Sequence, residues 1–145
     1  KCVANLHDAE GVLRVTGGSF VCTKRVVVGS DGSGTVEIGP AGVLTAPTLV
    51  LSNQTASALN FKADATRGFT GGLTVTNLVI ASGVTLNVDL GGYAGHSVSL
   101  IRAASVEGDF AAVNVTGQGD VDALVRKTPS GYRLSMLRGA LLLVR

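Results

Sequence analysis

A 23-residue repeat constrains this chain more than any motif in it. Gly11-Val-Leu-Arg-Val15 aligns with Gly34-Thr-Val-Glu-Ile38 and then with Ser57-Ala-Leu-Asn-Phe61, in steps of 23 residues (34 − 11 and 57 − 34). The segment opening at Lys1 aligns with the one opening at Lys24 at the same spacing. A fixed period of this size marks a solenoid. One repeat cannot bury its apolar side alone and does so by stacking on the next.

Within the repeat, apolar residues alternate with period two, the signature of strands with one face in the core. One column reads Leu13-x-Val15, Val36-x-Ile38, Leu59-x-Phe61 and Leu86-x-Val88. A second reads Val26-x-Val28, Leu49-x-Leu51 and Leu78-x-Ile80, with a weaker copy in Val3-Ala-Asn5. A third, shorter strand is expected around Phe20-Val21, Val43-Leu44 and Gly72-Leu73. The outward residues of the first column are Arg14, Glu37, Asn60 and Asn87, and the spacing predicts a cross-rung Arg14–Glu37 ion pair. An insertion falls in Lys62 to Thr70.

Gly-rich turns such as Gly29-Ser-Asp-Gly-Ser-Gly34 supply the positive φ values that tight corners require. Three short strands and three turns fit a parallel β-helix of about 23 residues per rung. The repeat fades after Gly92, and short strands split by Gly-rich turns follow. The expected organisation is all-β: β-helix rungs over residues 1–92, then a β-rich cap of antiparallel or mixed strands over residues 93–145.

Gly83-Val-Thr-Leu-Asn-Val-Asp-Leu-Gly91, Ser99-Leu-Ile-Arg-Ala103, Gly108-Asp-Phe-Ala-Ala-Val113 and Gly131-Tyr-Arg-Leu134 resemble the C-terminal end of passenger domains in bacterial autotransporter-type surface proteins. The upstream repeats are similar to the Gly/Thr/Val-rich β-strand repeats of that family. The resemblance covers most of the chain through loose, compositional motifs. It implies a right-handed β-helix, secretion to an extracellular or cell-surface location, and a stalk or adhesive role. The family offers no catalytic motif to map onto these positions, and no outer-membrane barrel is contained in the sequence.

Composition narrows the function classes further. The 145 residues are 46% hydrophobic but only 15% charged, with a net charge of +2. So weak and scattered a positive charge does not suggest nucleic acid. No apolar run reaches the roughly 18 residues of a membrane-spanning helix, so no direct membrane insertion is expected. The chain opens in mid-repeat without an initiator Met, which reads as a piece of a longer protein with more rungs upstream; a processed mature protein is the alternative. An open first rung would favour edge-to-edge self-association.

Site chemistry is sparse. Cys2 and Cys22 are the two cysteines. Their repeat positions are three apart, about 10 Å along a strand, which counts against a disulfide unless a corner lies between them. Asp8 and Asp31 share a column and are the weak candidates for calcium, with turn capping the alternative. His7 and His96 have no matching nucleophile. Asp64, Asp89, Glu107, Asp109, Asp120 and Asp122 are assigned in or near the irregular parts, with no column joining three acids. No catalytic residue and no cofactor are assigned.

The outward column Ala4, Val27, Val50 and Val79 is aliphatic where water would favour polar residues. Val27, Val50 and Val79 are therefore the candidate partner surface, with strand propensity or cover by the chain's own Leu141 to Val144 as the alternative. The expected role is a non-catalytic structural rod. A binding module for a protein or glycan ligand, gripping through Lys62 to Thr70 and Gly117 to Asp122, is the alternative. A polysaccharide-active enzyme is the third reading.

Overall fold

The computed structural model describes residues 4–6, 11–28, 34–52, 57–117 and 122–137. They form β1 (Ala4–Leu6), β2 (Gly11–Val21), β3 (Val26–Val28), β4 (Gly34–Leu51), β5 (Ala58–Lys62), β6 (Gly72–Ile80), β7 (Thr85–Asp89), β8 (Val98–Glu107), β9 (Ala112–Thr116), β10 (Asp122–Thr128) and β11 (Gly131–Leu137). The chain winds into a parallel β-solenoid of about four turns. Each turn crosses three faces, here called A, B and C in chain order.

Face A stacks the first half of β2, the first part of β4, then β5, β7 and β9, all parallel. Face C stacks β1, β3 and the ends of β4, β6 and β8, also parallel. Face B stacks the second half of β2, the middle of β4, and the starts of β6 and β8. There β11 pairs antiparallel with β8, and β10 closes the sheet as its hairpin partner.

The 18 residues of β4 show how one strand serves three faces. Run straight, it would reach nearly 60 Å at about 3.3 Å per residue. Instead it turns at Gly39-Pro40 and again at Pro47. At the first corner the register to β2 slips, from Val15↔Ile38 to Gly17↔Ala41. At the second, pairing to β6 skips from Ala46↔Val75 to Thr48↔Asn77. Proline lacks the N–H that a ladder needs, so both prolines fall where the ladder is already interrupted. Gly42, just past the first corner, packs so closely that a Cβ there would overlap the Val15 carbonyl.

The core is the stack of inward columns. On face A, Val36, Ile38, Leu59, Phe61, Leu86 and Val88 are at most 1% exposed. On face C, Val26, Val28, Leu49, Leu51 and Leu78 are fully buried, and Ile80 is nearly so. Face B contributes Leu44, Ala46, Leu73, Val75, Ile101 and Ala103. Both alternating columns expected from the sequence are therefore core, with Leu13, in the outermost described turn of face A, only half-buried. The third strand is present too, with Phe20, Leu44 and Leu73 in register.

Three details differ from the sequence reading. The first strand is one residue later, with Ala4↔Val26, Asn5↔Val27 and Leu6↔Val28. Apolar Leu6 rather than Asn5 thus lines up with buried Val28, and a one-residue slip exchanges the faces of a strand. The column beside Val27 accordingly begins at Asn5, not Ala4. Second, the rung is not constant. Face A advances by 23 residues from Leu13 to Val36 to Leu59, but by 27 from Leu59 to Leu86 to Val113 (86 − 59 and 113 − 86).

Third, parallel stacking does not stop where the repeat fades at Gly92. β8 and β9 continue faces B, C and A, and antiparallel pairing begins only at β11 on β8.

Candidate functional site

Outer faces of a solenoid bring together residues one rung apart, so its surface chemistry runs in rows. On face A the row is Arg14, Glu37, Asn60, Asn87 and Asn114, each paired in register with the next. Arg14 Nε donates to Glu37 Oε1 at 2.6 Å, and Lys62 Nζ lies 3.1 Å from Glu37 Oε2. The Arg14 guanidinium, with Lys62 second, holds the Glu37 carboxyl below its ordinary value of 4.5. Beyond it the row becomes an amide ladder: Asn87 Nδ2 donates to Asn60 Oδ1 at 2.8 Å, and Asn114 Nδ2 to Asn87 Oδ1 at 2.9 Å. The expected Arg14–Glu37 pair is present, and it extends into a polar spine.

The β10–β11 hairpin is fastened to the last turn by side chains from both. Phe110, in the turn between β8 and β9, packs edge-to-face on Tyr132 with ring centroids 5.0 Å apart. Tyr132 Oη donates to Asp109 Oδ1 at 2.8 Å, and Lys127 Nζ to the Gly108 carbonyl at 2.9 Å. On the other side, the Met136 N–H donates to Ser97 Oγ at 2.9 Å. Burial pushes the Tyr132 phenol well above the ordinary tyrosine value, and its bond to Asp109 adds to the shift. Gly131, at φ +132°, lies so near the Ile101 carbonyl that no other residue fits without displacement.

Where that hairpin meets face B, an open cleft of about 550 Å³ is lined by Thr74, Ser99, Arg102, Thr128, Ser130 and Arg133 together with Val75, Ala103 and Ala104. It adjoins a second hollow of about 210 Å³, which shares Thr74, Ser99 and Arg102 and extends past Phe69 toward Val43. No acid lines either one. The positions follow from the ladder: Arg102 pairs with Thr74 on β6 and Gly131 on β11, and Arg133 pairs with Ser99 on β8 and Arg126 on β10. Sequence reasoning missed this cleft. Its residues come from four strands, β6, β8, β10 and β11, and the one local hint was exposed Arg133 alternating with buried Tyr132 and Leu134.

The residues singled out from the sequence are dispersed. Val27, Val50 and Val79 stand in one half-buried row along face C, bounded in register by Asn5 and Glu107. Leu141 to Val144, the alternative cover for that row, lie outside the described residues, as do Asp8, Asp31, His7, Cys2 and Asp120. Cys22 is 2% exposed and disulfide-bonded. It sits at the end of β2, just before a bend at Thr23-Lys24, so a corner does lie between it and the strand that follows.

Asp89, Glu107 and Asp122 lie on strand ends, beside the irregular segments. The Lys62 to Thr70 insertion is a tight turn, with Asp64 Oδ1 accepting from the Thr66 and Arg67 N–H groups. Those two bonds, Thr66's first, hold the Asp64 carboxyl below its ordinary value. Of the Gly117 to Asp122 loop only the two ends are described. Among the described residues no three His, Cys, Asp or Glu side chains gather where they could hold one metal ion.

No protein-family model matches this sequence, and no match was found among curated proteins or solved structures.

Proposed function

We propose that this chain is a structural segment of an extracellular bacterial repeat protein, a rod ending in a hairpin cap, without catalysis of its own. The observation that carries the reading is the contrast between interior and surface. The interior of the described turns is a continuous apolar stack. On the exterior of face A, Glu37 is bonded to Arg14 and Asn87 to Asn60 and Asn114, so much of the row's polar capacity is used within it. Such a stack confers stiffness, because each turn is held by both neighbours. The β10–β11 hairpin supports the capping role, since it places an antiparallel edge where another parallel turn would otherwise add on face B. The likeness of the C-terminal third to autotransporter-type passengers supports the location.

The test is incubation of the folded protein with proteinase K and, separately, with a panel of neutral and acidic polysaccharides. A protected core of roughly the solenoid's length, with no depolymerisation, is the expected result. Turnover of a polysaccharide that one Asp→Asn change abolishes would replace the scaffold with a glycan-active enzyme. A binding role is the second reading, and the face B cleft is the feature that favours it.

A further inference from the structure

We propose that the cleft between face B and the β10–β11 hairpin binds oxyanion groups carried on an extended polymer, such as the sulfate or carboxylate groups of an acidic polysaccharide. This goes beyond the scaffold reading and does not depend on it. Arg102 and Arg133 both line the cleft and are exposed, and neither has an acidic partner among the described residues. Asp109, in the turn between β8 and β9, accepts from the Tyr132 hydroxyl and the Phe110 N–H. Among the described residues the one acid ion-paired with cations is Glu37, which serves Arg14 and Lys62 on face A.

A further cation flanks the cleft without lining it: Arg126 stands directly opposite Arg133 on the paired strand. Like charges at opposed positions destabilise a sheet, so an anion bound at Arg133 would also offset this repulsion. Arginine suits such an anion, because its planar guanidinium meets the oxygens of sulfate and carboxylate with two parallel donors. Four hydroxyls, from Thr74, Ser99, Thr128 and Ser130, complete the lining. Hydroxyls can donate to the anion's remaining oxygens and to sugar hydroxyls alike.

The shape favours a polymer over a free ion. The cleft is open, and it runs into the neighbouring hollow through shared Thr74, Ser99 and Arg102. A chain can lie along that path, whereas a single ion would be left largely in water.

The experiment measures binding of dextran sulfate and of uncharged dextran to the protein, to the Arg102→Gln/Arg133→Gln variant, and to a Lys24→Gln/Arg67→Gln variant. The last removes the same charge from exposed positions elsewhere. Circular dichroism checks that each is folded. The expected result is binding of dextran sulfate but not dextran, a Kd raised at least tenfold by the cleft variant, and a change under twofold in the control. Sodium sulfate should displace the polymer better than sodium chloride of equal ionic strength. Equal weakening in both variants, or no binding of dextran sulfate, overturns the site. So does displacement that depends on ionic strength alone. Inorganic sulfate binding by itself as tightly as the polymer would make a free ion the ligand and overturn the polymer assignment.

Discussion

At the scale of single residues, Glu37 shows how a solenoid converts repeat spacing into electrostatics. Its side chain is 13% exposed, while those of Arg14 and Lys62 are 59% and 57% exposed. The partners remain in water, so the cluster is worth less than about 1 kcal/mol despite its short distances. The sign of its pH dependence is nevertheless fixed. A carboxyl whose folded pKa lies below its ordinary 4.5 favours the folded state above that value, and the contribution fades as pH falls through the folded pKa. Glu37→Gln should therefore lower stability by about 0.5–1 kcal/mol near pH 7. At about pH 3 the difference should shrink markedly. Urea titrations of both proteins at the two pH values measure it. An equal difference at both would mean that Glu37 acts through packing and not through charge.

At the scale of elements, the hairpin is the part whose attachment is most specific. Tyr132 is buried against Phe110 and donates to Asp109. Tyr132→Phe keeps the ring and removes one bond to a charged acceptor, so it should cost about 1–2 kcal/mol. The neutral phenol stabilises the fold fully below its ordinary value of 10.0, and this contribution is lost as pH rises above it. The wild type should thus lose stability above pH 10 more steeply than Tyr132→Phe, as thermal melts across that range would show. Parallel curves would refute the role given to the hydroxyl.

The same scale separates what was legible from what was not. Both apolar columns through Leu86 and Ile80 were readable, because period-two alternation recurred at a fixed spacing. The Arg14–Glu37 pair was readable for the same reason. β9 was not placed on face A because the turn had lengthened to 27 residues, although Val113 follows Leu86 by the same step that separates Leu86 from Leu59. In β1, three residues carried too little pattern to choose between neighbouring registers. The arginine cleft left no trace in the repeat spacing, since β11 reaches β8 by reversing direction and no spacing in the repeat encodes that reversal.

At the scale of the whole molecule, the cost of a core change should depend on where along the stack it falls. Each turn contacts only the turns before and after it, so stability is close to a sum of turn and interface terms. Ile38 is 1% exposed, with Val15 and Phe61 in register on its two sides. Val113 occupies the same face on β9 but is 41% exposed. Burying Ile38 contributes about 1.5–3 kcal/mol, and an aspartate in its place adds the desolvation of an unpaired charge. Because that penalty strikes the contacts on both sides at once, Ile38→Asp should abolish the cooperative thermal transition and the β-sheet circular dichroism signal. Val113→Asp leaves its carboxylate in water. It should cost less than about 1 kcal/mol and keep the transition intact. Both variants put an aspartate into the same column, and they differ chiefly in how far position along the stack buries it. A folded Ile38→Asp protein with an unchanged spectrum would show that the face A column is not the spine of the core, and comparable losses in both variants would show that the turns do not couple through nearest neighbours alone.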